Sequence, residues 1–297
     1  MFFIIQYIVP PALAFMMFNI GITISLPEIR NIARFPKAFA LGALLQIISL
    51  PLLAIIIALL VKNFFSLPDE VILGILILAV CPGGVTSNIL TMLGNGNLAL
   101  SITLTSLLSF VGILTVPLFF AISNQLVFGE SLNLNHSFLR ITLGIFVFTT
   151  IPISLGLLFR HFRSDLALRY EKKFRPLTFI LFMLIVVAAL IKNKNILLEH
   201  IDTLAPIALL FNAIVMFIAI IAVKVFKLDL RNRIAIVFEC GSQNTGLAVL
   251  IALNVLQIEQ AGVFAAVYTP IMYLTAFIYY YYIRPTNKHN LNSHHKM

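Results

Sequence analysis

The sequence predicts an all-α, polytopic membrane protein of about nine transmembrane helices. Three observations carry that expectation. The 297 residues are 61% hydrophobic and only 10% charged, with a mean hydropathy of +1.04, outside the range of a soluble domain. Nine stretches approach the roughly 20 apolar residues needed to cross a bilayer. The charged residues gather in the short connections between them.

In chain order the spans are 3–25, 38–60, 71–93, 98–123, 138–158, 176–192, 204–223, 232–254 and 260–283. No connection could form a separate soluble domain, so 1–297 is read as one membrane unit. Its first residues, Met1-Phe2-Phe3-Ile4-Ile5, lack the basic region of a secretory signal, and the first span is too long for a signal's apolar core. Residues 284–297 are polar, carry three of the six histidines and read as a disordered tail.

Orientation follows from the cations. With the N-terminus outside, sixteen of the twenty Lys and Arg fall on the inner side, and only Lys62, Arg140, Lys192 and Lys194 stay outside. That asymmetry predicts an external N-terminus and a cytoplasmic C-terminus in a cell's inner (plasma) membrane. The net charge of +9 is thereby explained by topology, and nucleic acid is not an expected partner. Cys81 and Cys240 both lie in apolar spans and do not suggest a disulfide framework.

Two spans carry interruptions. In the third, Val80-Cys81-Pro82-Gly83-Gly84-Val85-Thr86-Ser87-Asn88 removes a backbone donor at proline and then follows it with two glycines. A break inside a bilayer is tolerated where it faces protein or a water-filled cavity. A packed proline kink is the plainer reading, but Thr-Ser-Asn directly after the glycines is more polar than a kink requires. The eighth span holds Glu239-Cys240-Gly241-Ser242-Gln243-Asn244. Ten of the eleven acids sit in or beside loops; Glu239 alone is embedded, at roughly 2.5–3.5 kcal/mol for a carboxylate at membrane depth. A polar clamp between helices is the alternative to an ion site there. The two interrupted spans run in opposite directions, the sequence pattern of a transporter site between inverted repeats.

The residue types suggest what binds. At each break one half-helix ends in free carbonyls and the next begins with free N–H groups, favouring a cation and an anion respectively. Thr86, Ser87, Asn88, Gln243 and Asn244 add neutral oxygens beside the single carboxylate, a donor set for a hard ion. Two sodium ions around one carboxylate leave excess positive charge, which an organic anion would relieve. Ser101 and Thr105 are four apart and share a helix face, and Gln46 is a lone amide in an apolar span.

These motifs support a resemblance. Cys81-Pro82-Gly83-Gly84 with Ser87-Asn88, Ala99-Leu100-Ser101 with Thr105-Ser106, and Glu239-x-Gly241-x-Gln243-Asn244 resemble the bile acid:sodium symporter family, as does Phe18-Asn19-Ile20-Gly21-Ile22-Thr23-Ile24-Ser25. The resemblance implies a panel (1–25 and 138–193) beside a core (38–123 and 204–283), with 284–297 as a cytoplasmic tail. It implies a first sodium site of Ser87, Asn88, Ser101, Thr105 and Glu239. A second would use Gln46, Glu239 and Gln243, with the carbonyls of Cys240 and Ser242. Val85, Thr86, Asn244 and Thr269 would meet the substrate. Tyr268-Thr269-Pro270 stands where some bacterial relatives carry a polar His-Asn pair, and Val85 where a threonine is frequent, which favours a small carboxylate such as pantoate as readily as a bile acid.

No span contains a histidine or a lysine placed to activate a serine, and no phosphate-binding Gly-x-x-x-x-Gly-Lys-Ser/Thr loop occurs, so an intramembrane enzyme and an ATP-driven pump are not expected. The sequence therefore reads as a monomeric secondary transporter, a sodium-coupled symporter of an organic anion working by alternating access. Proton coupling through Glu239 is the runner-up, and an arsenite-type exporter using Cys81 a more distant one.

Overall fold

The computed structural model describes residues 9–23, 34–129, 142–144 and 146–294. Its helices run in the order α1 (Val9–Thr23), α2 (Pro36–Phe64), α3 (Asp69–Val80), α4 (Val85–Leu93), α5 (Leu98–Phe128), α6 (Thr142–Phe162), α7 (Ser164–Lys192), α8 (Lys194–Val225), α9 (Leu230–Gly241), α10 (Thr245–Leu250, continued by a π-helical turn Ile251–Leu256) and α11 (Gly262–His294). No strand occurs among the described residues, where the one sheet-like feature is an isolated antiparallel bridge between Gly83 and Gln243.

The interior proline positions shape several of these helices. In α2 a π-turn at Leu45–Ser49 precedes Pro51, and in α6 another at Phe146–Thr150 precedes Pro152. A proline ring clashes with the carbonyl four residues earlier, and one extra residue in the turn moves that carbonyl aside. The turn in α2 carries Gln46, which is buried.

Among the described residues, four helices are long and apolar enough to cross a membrane: α2, α6, α8 and Glu259–Ile283. Two bent pairs raise the number to six, α5 with a 65° bend between Gly112 and Leu114, and α7 with a 45° bend between Phe174 and Pro176. The stretches 71–93 and 232–254 are each split in two, giving α3 with α4 and α9 with α10. Exposed apolar rows run along the outer faces at helical spacing. Leu44, Ile48, Leu52, Ile56 and Leu60 form one on α2, and Leu114, Leu118, Ile122 and Leu126 another on α5. Such surfaces face lipid in a multi-pass membrane protein.

Some boundaries differ from those read in the sequence. α7 begins at Ser164 instead of 176, because Asp165–Phe174 is a charged but uninterrupted helix-forming stretch joined to the apolar part at the bend. α8 likewise begins ten residues before 204. The helix expected to end near 283 carries on past Pro285 to His294, where the sequence suggests a disordered tail; proline removes one hydrogen bond from a helix without necessarily ending it.

Packing sorts the helices by neighbour. α1 lies against α6 and α7. Gly21 and Gly156 let α1 and α6 touch backbone to backbone: a Cβ on Gly156 would meet the Phe18 carbonyl at 2.2 Å. α8 packs on α9 and α11, α3 on α2, α5 and α11, and α4 on α9 and α5. The two sets meet where α10 and α11 contact α7.

Candidate cation and cargo site

The site forms where the two breaks cross. Helix α3 stops at Val80 because Pro82 and the two glycines cannot continue it; Cys81 is extended (φ −70°, ψ 138°) and Gly84 fully so (ψ 179°). In the other span Asn244 caps α10, its side chain accepting from the Leu247 N–H at 3.0 Å. The extended segments bind each other directly, with the Asn244 N–H donating to the Pro82 carbonyl at 3.1 Å.

Glu239 sits on the last turn of α9 and reaches across the first break. It is 1% exposed, and a Cβ on Gly83 would lie 2.2 Å from its Oε1. Glycine at 83 is thus what lets the carboxylate in. Thr105 donates to Oε1 at 2.6 Å and Ser101 to Oε2 at 3.1 Å, from one face of α5, whose start is fixed by Asn97 accepting the Leu100 N–H. Asn88 Oδ1 is 2.8 Å from the Ser101 hydroxyl and 3.5 Å from that of Thr105. Ser87 donates to the Gly84 carbonyl at 2.7 Å and lies 3.5 Å from Thr105.

The proton count matters here. Each hydroxyl has one proton. Ser101 and Thr105 therefore supply two protons to three oxygens, the Glu239 pair and the Asn88 amide. Ser87, Ser101 and Thr105 are all 0% exposed, and the described ion pairs, Lys62–Asp69, Lys192–Glu259 and His200–Glu199, lie elsewhere. A buried carboxylate in an oxygen-rich, proton-poor shell is electrostatically suited to a small cation. The set that the resemblance assigns to a first ion, Ser87, Asn88, Ser101, Thr105 and Glu239, comes together in space.

Of the second set, Gln46, Gln243 and the Cys240 carbonyl come together, while the hydrogen bonds of Glu239 go to Thr105 and Ser101 of the first set. Gln46 Nε2 donates to Gln243 Oε1 at 2.7 Å and lies 3.2 Å from the Cys81 carbonyl, while Gln243 Nε2 donates to the Cys240 carbonyl at 2.7 Å. Two oxygens of this group, Gln46 Oε1 and Ser242 Oγ, are buried without a hydrogen-bond partner. Unpaired buried oxygens cost about 1–3 kcal/mol each unless something binds them. The donors fit a hard cation, and among the described residues no cluster of three His, Cys, Asp or Glu offers a softer site.

Beside the crossing lies a cavity of about 310 Å³. Gly84, Thr86, Gln243 and Asn244 form its polar wall, facing Met16, Met17, Asn19 and Thr23 of α1 and Glu171, Thr178 and Phe179 of α7. Thr86 and Asn244 thus line it. Thr269 does not: its hydroxyl is 3.0 Å from that of Thr245 and it is 3% exposed. Val85 is the first residue of α4. Cys81 is buried, its thiol donating to the Ile77 carbonyl of its own helix at 3.2 Å, away from the cavity.

Sequence reading missed one node. Asn212 of α8, fully buried, donates to the Gly241 carbonyl at 2.8 Å and to Tyr268 Oη at 2.6 Å. Asn212 is a lone amide in an apolar span, the same signal that singled out Gln46.

Comparison with known proteins is decisive for the family. Residues 10–200 match the model of the sodium bile acid symporter family. This chain belongs to that family. One similar member is an uncharacterized sodium-dependent transporter, YocS, of Bacillus subtilis (strain 168), 28% identical over 242 residues covering 81% of this chain and 72% of that protein. Another is a probable sodium/metabolite cotransporter, BASS1, chloroplastic, of Oryza sativa subsp. japonica, 26% identical over 81% of this chain and 57% of its own length. The hepatic sodium/bile acid cotransporter of Homo sapiens is 26% identical over 82% of this chain and 68% of its own. The chain thus spans little more than half the length of the rice relative. Members of the sodium bile acid symporter family are transporters and not enzymes, and so is this multi-pass membrane protein.

Proposed function

We propose that this sodium bile acid symporter family member couples the entry of two sodium ions to uptake of a small organic anion by alternating access. One observation carries the reading: Glu239 is buried at the crossing of two broken helices, and its two oxygens together with Asn88 Oδ1 outnumber the two hydroxyl protons of Ser101 and Thr105 that reach them. The first ion would bind Ser87, Asn88, Ser101, Thr105 and Glu239. The second would bind Gln46, Glu239, Gln243 and the carbonyls of Cys240 and Ser242, where two oxygens lack partners. Sodium is cargo in this scheme, bound and released in each cycle.

Two cations against one carboxylate leave positive charge at the crossing. The N-termini of α4 and α10 add partial positive charge there, and Gly84, Thr86 and Asn244 present it to the cavity. An anionic head group belongs at that wall, opposite the side that carries Glu171, while Met16, Met17 and Phe179 suit an apolar or lightly substituted body. A volume near 310 Å³ is at the small end for ligand sites, which favours a small carboxylate such as pantoate over a steroid.

The nine-span reading accords with the structure's four long spans, two bent pairs, two broken pairs and α1. On this reading the panel is 1–25 with 138–193, the core 38–123 with 204–283, and the monomer lies in the inner (plasma) membrane with its C-terminus cytoplasmic. The cavity residues of α1 and α7 are drawn from the ends nearer the basic loops, 16–23 and 171–179, so the cavity opens toward the cytoplasm.

The test is a melting curve of the purified protein with small carboxylates, in sodium, potassium and choline chloride. Stabilisation by a carboxylate only when sodium is present is the expected result. Stabilisation that tracks pH and ignores sodium would establish proton coupling instead.

A further inference from the structure

We infer that Asn212, Tyr268 and Thr275 act as a positioning triad for the second cation set, by fixing the peptide at which helix α9 breaks. The inference rests on the two-ion reading above and assigns roles to three residues outside both ion sets.

The end of a helix leaves its last carbonyls without intrahelical donors. At α9 one of these is the Gly241 carbonyl. Asn212 Nδ2 reaches it at 2.8 Å from α8, and Tyr268 Oη at 3.1 Å from α11. Both side chains are 0% exposed. Thr275, two turns along α11, donates to Asn212 Oδ1 at 2.6 Å, which keeps the amide turned so that its NH2 group faces the break. The remaining Asn212 proton goes to Tyr268 Oη at 2.6 Å, leaving the tyrosine proton for Gly241. The Asn212 and Tyr268 protons thus have one acceptor each, while the Thr275 hydroxyl, nearest to Asn212 Oδ1, also lies 3.1 Å from the Ile271 and Met272 carbonyls of its own helix.

The contrast with the adjoining residues gives the network its meaning. Ser242 Oγ and Gln46 Oε1 have no partner, and the Cys240 carbonyl receives Gln243. The triad spends its donors on Gly241 and none on its neighbours. A peptide group is planar, so holding the Gly241 oxygen on one side and the Ser242 N–H on the Phe238 carbonyl (3.0 Å) on the other fixes the plane between residues 241 and 242. The carbonyls before and after that plane, those of Cys240 and Ser242, take their directions from it. Close packing reinforces the arrangement: a Cβ on Gly241 would meet Met216 Cγ of α8 at 2.9 Å.

The experiment compares Tyr268→Phe and Thr275→Val with the parent, as full-length protein in detergent. Melting temperature is followed against NaCl, with choline chloride holding ionic strength constant. Tyr268→Phe keeps the ring and loses only the hydroxyl. Both variants should melt near the parent in choline, while the sodium concentration for half-maximal stabilisation rises about fivefold, the effect of one lost hydrogen bond. Thr275→Ser should restore the parent value. An unchanged sodium midpoint in both variants, whether or not their melting temperatures fall, overturns the triad, since a purely structural network would lower stability alone. A parent that shows no sodium response at all refutes the two-ion reading instead.

Discussion

Gly83 has no side chain because Glu239 occupies the space where one would be. A Cβ there would stand 2.2 Å from Oε1, whereas at Gly84 the nearest atom would be 3.5 Å away. Gly83→Ala should therefore displace the carboxylate and abolish sodium-dependent stabilisation, while Gly84→Ala keeps it; melting curves with and without sodium distinguish the two. Glu239→Gln removes the carboxylate buried at the crossing. It should leave a folded protein, since the amide retains hydrogen-bonding capacity toward Thr105 and Ser101, but eliminate sodium-driven uptake in vesicles. Sodium-driven uptake at the parent rate in Glu239→Gln would remove the shared ligand from the scheme. Glu239 and the polar residues after each break stand out in the sequence because a polar group at membrane depth is conspicuous, whereas their sorting into two ion sets is what the family resemblance implies. Asn212 is equally conspicuous, but no motif points to it, and Tyr268, notable in the sequence only beside Thr269, has no visible role because an aromatic ring in an apolar span looks like ordinary packing. Thr269 lies in the expected span, yet its hydroxyl faces Thr245 and it is not among the residues lining the cavity.

Among the elements, the half-helices follow directly from Pro-Gly-Gly and from the polar run after Glu239. What the sequence could not supply is the register between the two breaks, set by the antiparallel bridge of Gly83 with Gln243, by the backbone bond from Asn244 to Pro82 and by the Gln46 side chain reaching both segments. Helix ends at the membrane surface are not legible either, since apolarity marks where lipid begins and not where hydrogen bonding stops, as the early start of α7 illustrates. Closeness between helices was invisible too. Gly21 and Gly156 stand far apart in sequence and nothing about either announces that α1 and α6 meet at their backbones. Gly156→Val should force these helices apart and cost about 1–3 kcal/mol, more if α1 cannot shift. The loss should register as a lower melting temperature in choline as well as in sodium, with the sodium midpoint unchanged, because this contact lies outside both ion sets.

Across the whole molecule, the proposed transport cycle requires the cavity to open to one side at a time. On the side away from the cavity, Lys192 at the end of α7 pairs with Glu259 at 2.5 Å, in the turn that leads into α11. The pair joins the two sets of helices that must separate for the outer side to open. Glu259 is 46% exposed at its side chain, so the pair contributes on the order of 0.2–1 kcal/mol, too little to decide folding. It is enough to move a balanced equilibrium between inward and outward states by up to about fivefold. Lys192→Glu and Glu259→Lys should each populate the outward state, and the double exchange should reverse the effect. The readout is labelling of a cysteine introduced at Met17, in the cavity wall, by a membrane-impermeant maleimide added outside; Cys81 and Cys240 are buried and stay unlabelled. Labelling should rise several-fold in each single variant and return toward the parent level in the exchange. Equal labelling in all four proteins would mean that closure of the outer side depends on packing between α7 and α11, with the ion pair riding on it.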